Sequence, residues 1–202
     1  METQVQQVAR LTTFVTNYKN EILMPLAQAG VLTKELCYEA VKMYMDEIEQ
    51  RKVRDVVLEV TKDNKYSCFH PFHSAPFTID GKEWLSVEHY YRAAHFFGVD
   101  DDFVEEIRTA KNPAVAHRRG VNGTSSGRRV RPDWDKESAN ELKKAYMCML
   151  DAHPELKKTL IETDIARLVL LPPPVDTYIG VDKQGEGQNM AGKVLVEIRN
   201  EL

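Results

Sequence analysis

Apolar residues recur at helical spacing from the start of the chain. Val5, Val8, Leu11, Phe14, Val15 and Tyr18 fall three and four positions apart, which predicts a helix from residue 3 to about 28. Pro25 and Gly30 punctuate its end. Thr33 stands as an N-cap for a second helix over 34 to about 50, whose stripe is Leu36, Cys37, Ala40, Val41, Tyr44, Met45 and Ile48. The period then changes. "RDVVLEV", 54 to 60, is rich in β-branched residues and alternates weakly, so it reads as a strand that "DNK" breaks. "YSCFHPF" and "APFTIDGKEWL" read as short strands and turns, with Asp80-Gly81 as a tight-turn signal.

Helical spacing returns at Ser86 and runs to about Phe97. A helix over 100–110 opens on acids, which complement the positive end of the helix dipole. A short helix over 112–120 is closed by Gly120, and a loop follows over 121–135. A long helix covers 136–151, and Pro154 opens another that ends near 161. "ARLVLLPPPVDTYIG", 166 to 180, reads as a strand with a proline stop. A glycine-rich loop then feeds a terminal helix. The fold class expected is mainly α with a few short β-strands (α+β). The boundary near residue 52 divides an N-terminal helical arm, 1–52, from a single domain, 53–202.

Composition narrows the function classes. Of 202 residues, 43% are hydrophobic and 29% charged, a globular profile with enough apolar mass for a core. The net charge of −4 argues against a broadly basic nucleic-acid binder, so any such contact is local or the substrate is small. Three widely spaced cysteines, Cys37, Cys68 and Cys148, make no closed disulfide framework and suit a reducing compartment. The polar start carries no apolar signal core, and no run approaches the ~18 apolar residues of a membrane span. The expectation is a cytoplasmic protein without a membrane partner.

The chemistry gathers on the helix "EWLSVEHYYRAAHFF", 83 to 97. On a helical wheel Trp84, Tyr91, Arg92 and His95 share a stripe with Glu88, while Val87, Tyr90, Ala93, Ala94 and Phe97 form the opposite, core-packing face. The stripe reads either as a solvated polar face, which would more often be Glu, Lys and Gln, or as the wall of a site. Aromatic walls beside a carboxylate suit a pocket in which a flat ring or a sugar stacks and an acid of raised pKa acts on it. Cys68, His70, His73 and His89 do not have a zinc spacing, so neither metal nor cofactor is expected. The basic loop 119–134 carries Arg119, Arg128, Arg129 and Arg131 and is read either as a phosphate clamp or as a solvated surface. Trp134 closes it, flanked by Asp133 and Asp135, the latter a candidate helix cap. "GEGQNMAGK", 185 to 193, is an anion loop only loosely and matches neither the P-loop nor the dinucleotide fingerprint.

Taken in order, "YSCFHPF", "IDGKEWLSVEHYYRAAHFFG", "IRTAKNPAVAHRRG", "RVRPDWD", "HPELKKTLIET", "DTYIG" and "GEGQNMAGKVLVEIRNEL" resemble the NADAR family, also called YbiA-like. The resemblance runs from about residue 55 to the C-terminus and leaves the arm outside. It implies an α-rich YbiA-like single domain and N-glycosidase chemistry, cleavage between a ribose anomeric carbon and a nitrogen. The substrate classes it implies are ADP-ribose on guanine bases, free or in nucleic acid, and phosphorylated ribosylamino-pyrimidines of riboflavin synthesis. Set beside that chemistry, Glu88, His95 and Asp135 are the catalytic candidates. Trp84, His89, Tyr91, Arg119, Arg128, Arg131, Trp134, Asp176, Asn189, Gly192 and Lys193 are the substrate-binding candidates, facing an ADP-ribose-type nucleotide. The chain departs from the family at His95, where the family usually has Lys, at Cys68 for Asn, at Leu170 for Glu and at Ile179 for Trp. An imidazole cannot form the Schiff base that an amine would. A catalytically weakened homologue that only binds nucleotide is therefore the alternative.

Overall fold

The computed structural model describes residues 65–171 and 176–202, the backbone of the strand 55–58, and the isolated positions Thr33, Tyr38 and Lys42. The helix expected over 3–28 and most of that over 34–50 lie outside the described residues; Tyr38 and Lys42 are helical. By its internal contacts the chain divides into two units, Met1–Lys52 and Val53–Leu202. The second is described here.

Strand β1, Asp55–Leu58, pairs in parallel with β4, Arg167–Leu170, with Val56 opposite Leu168. A short 3-10 helix spans Lys65–Phe69. Strands β2, Phe77–Ile79, and β3, Lys82–Trp84, form an antiparallel hairpin with Phe77 opposite Trp84. Its two loop residues, Asp80 and Gly81, have φ of 51 and 75 degrees, the positive values that a two-residue hairpin turn requires. Phe77, Ile79 and Trp84 all face the core.

Among the described residues from 65 onward, six α-helices complete the α+β fold: α1 Val87–Ala94, α2 Asp101–Arg108, α3 Pro113–Ser125, α4 Trp134–Ala152, α5 Pro154–Ile161 and α6 Met190–Glu201. Three begin on a side-chain cap. Ser86 accepts from the His89 amide, Asp100 from Phe103 and Asn112 from Val115. α1 packs against α2, α3 and α4, and all eight of its residues are buried. The wheel therefore needs correction. The polar stripe of α1 is as enclosed as its apolar one, and Trp84 precedes the helix in β3.

Two boundaries also differ from the periodic reading. Gly120 does not end a helix; α3 continues to Ser125. A Cβ on Gly120 would lie 2.7 Å from the Cβ of Arg92, and one on Gly123 would lie 2.4 Å from Phe103. These glycines allow close crossing of helices. α4 starts at Trp134, so Asp135 sits inside its first turn, exposed, and the N-cap position belongs to Asp133.

Candidate active site

Glu88 lies at the centre of the domain with no exposed surface. Its Oε1 accepts two charge-assisted bonds, from Arg92 Nε at 2.6 Å and from His117 Nδ1 at 2.7 Å. The spacing of four residues along α1 brings Arg92 to Glu88; the close approach of α3 brings His117. Arg92 extends the line, donating from Nη2 to Asp176 Oδ2 at 2.7 Å. Asp176 is held in turn by the amides of Tyr178 and Ile179, which donate to its Oδ1. Burial alone would raise the pKa of Glu88. The charge of Arg92 and the hydrogen bond from His117 outweigh it and hold the carboxyl down at about 2. The expectation of a raised pKa is thus corrected, because the buried acid carries its own guanidinium. Oε2 of the same carboxylate has no hydrogen-bond partner.

Beside this line stands an aromatic wall. The rings of His95 and Trp134 stack at 3.8 Å and 29 degrees, with Tyr91 edge-on to His95 at 5.5 Å and tilted against Trp134 at 5.2 Å. Arg92 lies over the Tyr91 ring at 5.5 Å, which joins the wall to the charged line. Nδ1 of His95 donates to the Tyr91 carbonyl at 3.0 Å, which places the ring proton there and leaves a lone pair on Nε2. Burial, then the nearby Arg92, push the pKa of His95 down to about 4, so the ring is neutral near pH 7. His95, Trp134, Asp176 and Tyr178 are half-buried, and at them the arrangement reaches the surface.

The loop before α4 positions Trp134. Arg131 grips both oxygens of Asp133 and reaches Glu141 at 2.6 Å, while its amide donates to the His95 carbonyl. Arg131 is thus an internal tie. So are the other cations proposed for phosphate. Arg119 donates to the Glu106 carbonyl, and Arg128 pairs with Asp100 at 2.6 Å and lies over the Phe103 ring.

The structure brings Glu88, Tyr91, His95, Trp134 and Asp176 together and leaves the other candidates outside. Trp84 is buried edge-on against Tyr90 at 5.0 Å. His89 is spanned by the Ser86 hydroxyl and the Ala110 carbonyl; since the carbonyl accepts, Nε2 carries the proton and Ser86 donates to Nδ1. The Asn189 side chain is spent on β4, accepting from the Leu170 amide and donating to the Leu168 carbonyl. A Cβ on Gly192 would lie 2.0 Å from that same carbonyl. Lys193 is exposed on α6. The first amides of α6 are also taken, Met190 by Tyr178 and Ala191 by Ile179, so this end of the glycine-rich loop is engaged in packing. His117 and Tyr178 were missed. The signal for His117 was its helical spacing to Gly120; Tyr178, bonded to Ser138 on α4, had none.

Among the described residues no cluster of His, Cys, Asp and Glu is arranged to hold a metal, and no helix is long and apolar enough to cross a membrane. Two open surface grooves, of about 390 and 570 Å³, lie beside Cys148 and Glu83 and beside Phe97 and Arg131; neither contains Glu88. The chemistry, not the groove volume, locates the candidate site.

The comparisons place the chain among known proteins. The N-glycosidase YbiA of Shigella boydii serotype 4 is 32% identical over 154 residues, 76% of this chain and 92% of that one. The chloroplastic riboflavin biosynthesis protein PYRR of Zea mays is 36% identical over 124 residues, 59% of this chain but 20% of that one. The NMR structure of Escherichia coli YbiA superposes with a TM-score of 0.65 at 32% identity, covering 74% of this chain and 84% of that one. The NADAR domain model matches residues 59–202. The chain belongs to the NADAR domain family.

Proposed function

We propose that the protein is an N-glycosidase that hydrolyses the bond between a ribose anomeric carbon and a base nitrogen, with an ADP-ribosyl group on guanine as its target. The observation that carries this reading is the pair of carboxylates, Glu88 and Asp176, bridged by one guanidinium at the foot of the Tyr91–His95–Trp134 wall. Two negative groups against one positive leave the line with a net charge of −1 before His117 is counted. Cleavage sends the bonding pair to the base nitrogen and leaves positive charge on the ribosyl ring. A fixed negative field stabilises that charge. The base or sugar lies flat on the wall. The lone pair on His95 Nε2 accepts a proton from water as its oxygen adds to the anomeric carbon; the departing nitrogen is protonated by solvent, and His95 returns its proton to solvent, so that one water is consumed and the ring is neutral again. Relatives named N-glycosidase support the reaction class.

The test is to incubate the folded chain with an oligonucleotide carrying ADP-ribose on guanine, and separately with a phosphorylated ribosylamino-pyrimidine. Products are followed by mass spectrometry. Free ADP-ribose from the first substrate is expected, and Glu88→Gln is expected to lower the rate by about 100-fold or more. Turnover of the second substrate alone moves the target to the class that the maize relative's name indicates. Turnover of neither, with tight ADP-ribose binding by calorimetry, overturns hydrolysis and makes the protein a nucleotide binder.

A further inference from the structure

Two donors converge on one oxygen of Glu88 and none on the other. Arg92 Nε and His117 Nδ1 both reach Oε1, at 2.6 and 2.7 Å, while Oε2 is buried without a partner. A carboxylate has acceptor sites on both oxygens. Leaving one bare is unfavourable, more so for a charged group. An unpartnered buried oxygen at the centre of a well-packed domain calls for a physical reason.

α3 creates the asymmetry. Gly120 has no side chain, so the Arg92 stem lies directly on it. His117, one turn earlier on the same helix, is thereby brought level with Glu88. Its ring is steadied by Phe72 at 5.5 Å. The titratable and charged groups that interact with the carboxylate are His89, Tyr91 and Arg92 from α1, His95 at its C-terminal end, His117 from α3, His70 from the turn after the 3-10 helix and Tyr146 from α4, with Asp176 acting through Arg92.

We propose that His117 is a positioning residue: its Nδ1–H occupies Oε1 together with Arg92 and so leaves the charge on Oε2 of Glu88 unshared, to act through space on the ribosyl cation. This rests on the N-glycosidase reading above. His117 touches no substrate; it acts through the carboxylate.

The test compares wild type, His117→Ala and His117→Asn, whose amide N–H stands near the position of Nδ1. His117→Ala is expected to lower kcat by about 10-fold or more with KM changed less than about threefold, and His117→Asn to recover most of the loss. The acid limb of the kcat–pH profile is expected to move to higher pH in His117→Ala, because one of the two donors holding Glu88 ionised is gone. A second readout needs no turnover: titration of the side-chain carboxyl of Glu88 by carbon-13 NMR, with a rise of about one unit in His117→Ala. If wild type hydrolyses nothing, the functional reading fails and this titration still decides the role of His117. Should His117→Ala not fold, His117→Gln replaces it, since its amide matches the other ring nitrogen. Equal titrations or equal kcat in the variants and wild type overturn the proposal.

Discussion

Arg92 ties a carboxylate on its own helix to one 84 residues later, using a different nitrogen for each. Its side chain is 7% exposed, so water does little to replace it. Arg92→Met leaves Glu88 charged and buried beside His117 alone, and is expected to cost about 3–5 kcal/mol in urea denaturation. Arg92→Lys keeps the charge but has one donor centre where two are needed, so it is expected to recover less than half of that. The titrating groups set a second expectation. Glu88 is depressed from 4.5 to about 2, so its contribution to stability is present above pH 4.5 and is lost as pH falls toward 2. His70 and His95 are depressed from 6.5 to about 4, burial being the first cause in each. The unfolded chain then takes up protons that the folded chain refuses. Stability from these rings is full above pH 6.5 and drains as pH falls from 6.5 to 4. Tm by scanning calorimetry should therefore be flat above about pH 6.5 and fall below it, and His95→Phe should flatten the first part of that fall.

At the level of elements, local chemistry was legible and long-range packing was not. Ser86, the Asp80-Gly81 turn and the acids opening α2 act where the periodic reading placed them, because a cap or a tight turn is decided within four residues. Gly120 misled, since a glycine in a helix reads as a stop unless a partner helix fills its space. The glycine-rich loop misled for a similar reason. Its Asn189 has a left-handed backbone and uses its side chain as an extra rung on β4, which no local pattern shows. Asn189→Ala is expected to lose both rungs and destabilise the fold by about 1–3 kcal/mol. Gly192→Ala forces the start of α6 off β4 and is expected to cost at least as much. Because this joint holds no ligand in the reading above, KM of the folded fraction should stay unchanged in both variants. A large rise in KM would return the loop to the binding site.

For the whole molecule, the acid, the wall and the second carboxylate come from α1, α4 and the turn before α6, so the site exists only when the domain has closed. The sequence showed which residue types were present but not which were already spent. Arg119, Arg128 and Arg131 all looked available for phosphate until the fold paired each with an acceptor elsewhere in the chain. Among the described residues Arg118, Arg129 and Lys193 are exposed cations with no such tie. Every residue of the candidate site lies between Phe72 and Tyr178, the NADAR match spans 59–202, and the chain divides after Lys52. Residues 53–202 are therefore expected to carry the reaction alone. The measurement is a comparison of the full chain with residues 53–202. Tm should agree within about 5 °C and kcat/KM on the same adduct within about threefold. A shortened chain that melts at the same temperature but loses turnover would show that the first 52 residues supply part of the site. One that does not fold would show that they supply part of the core.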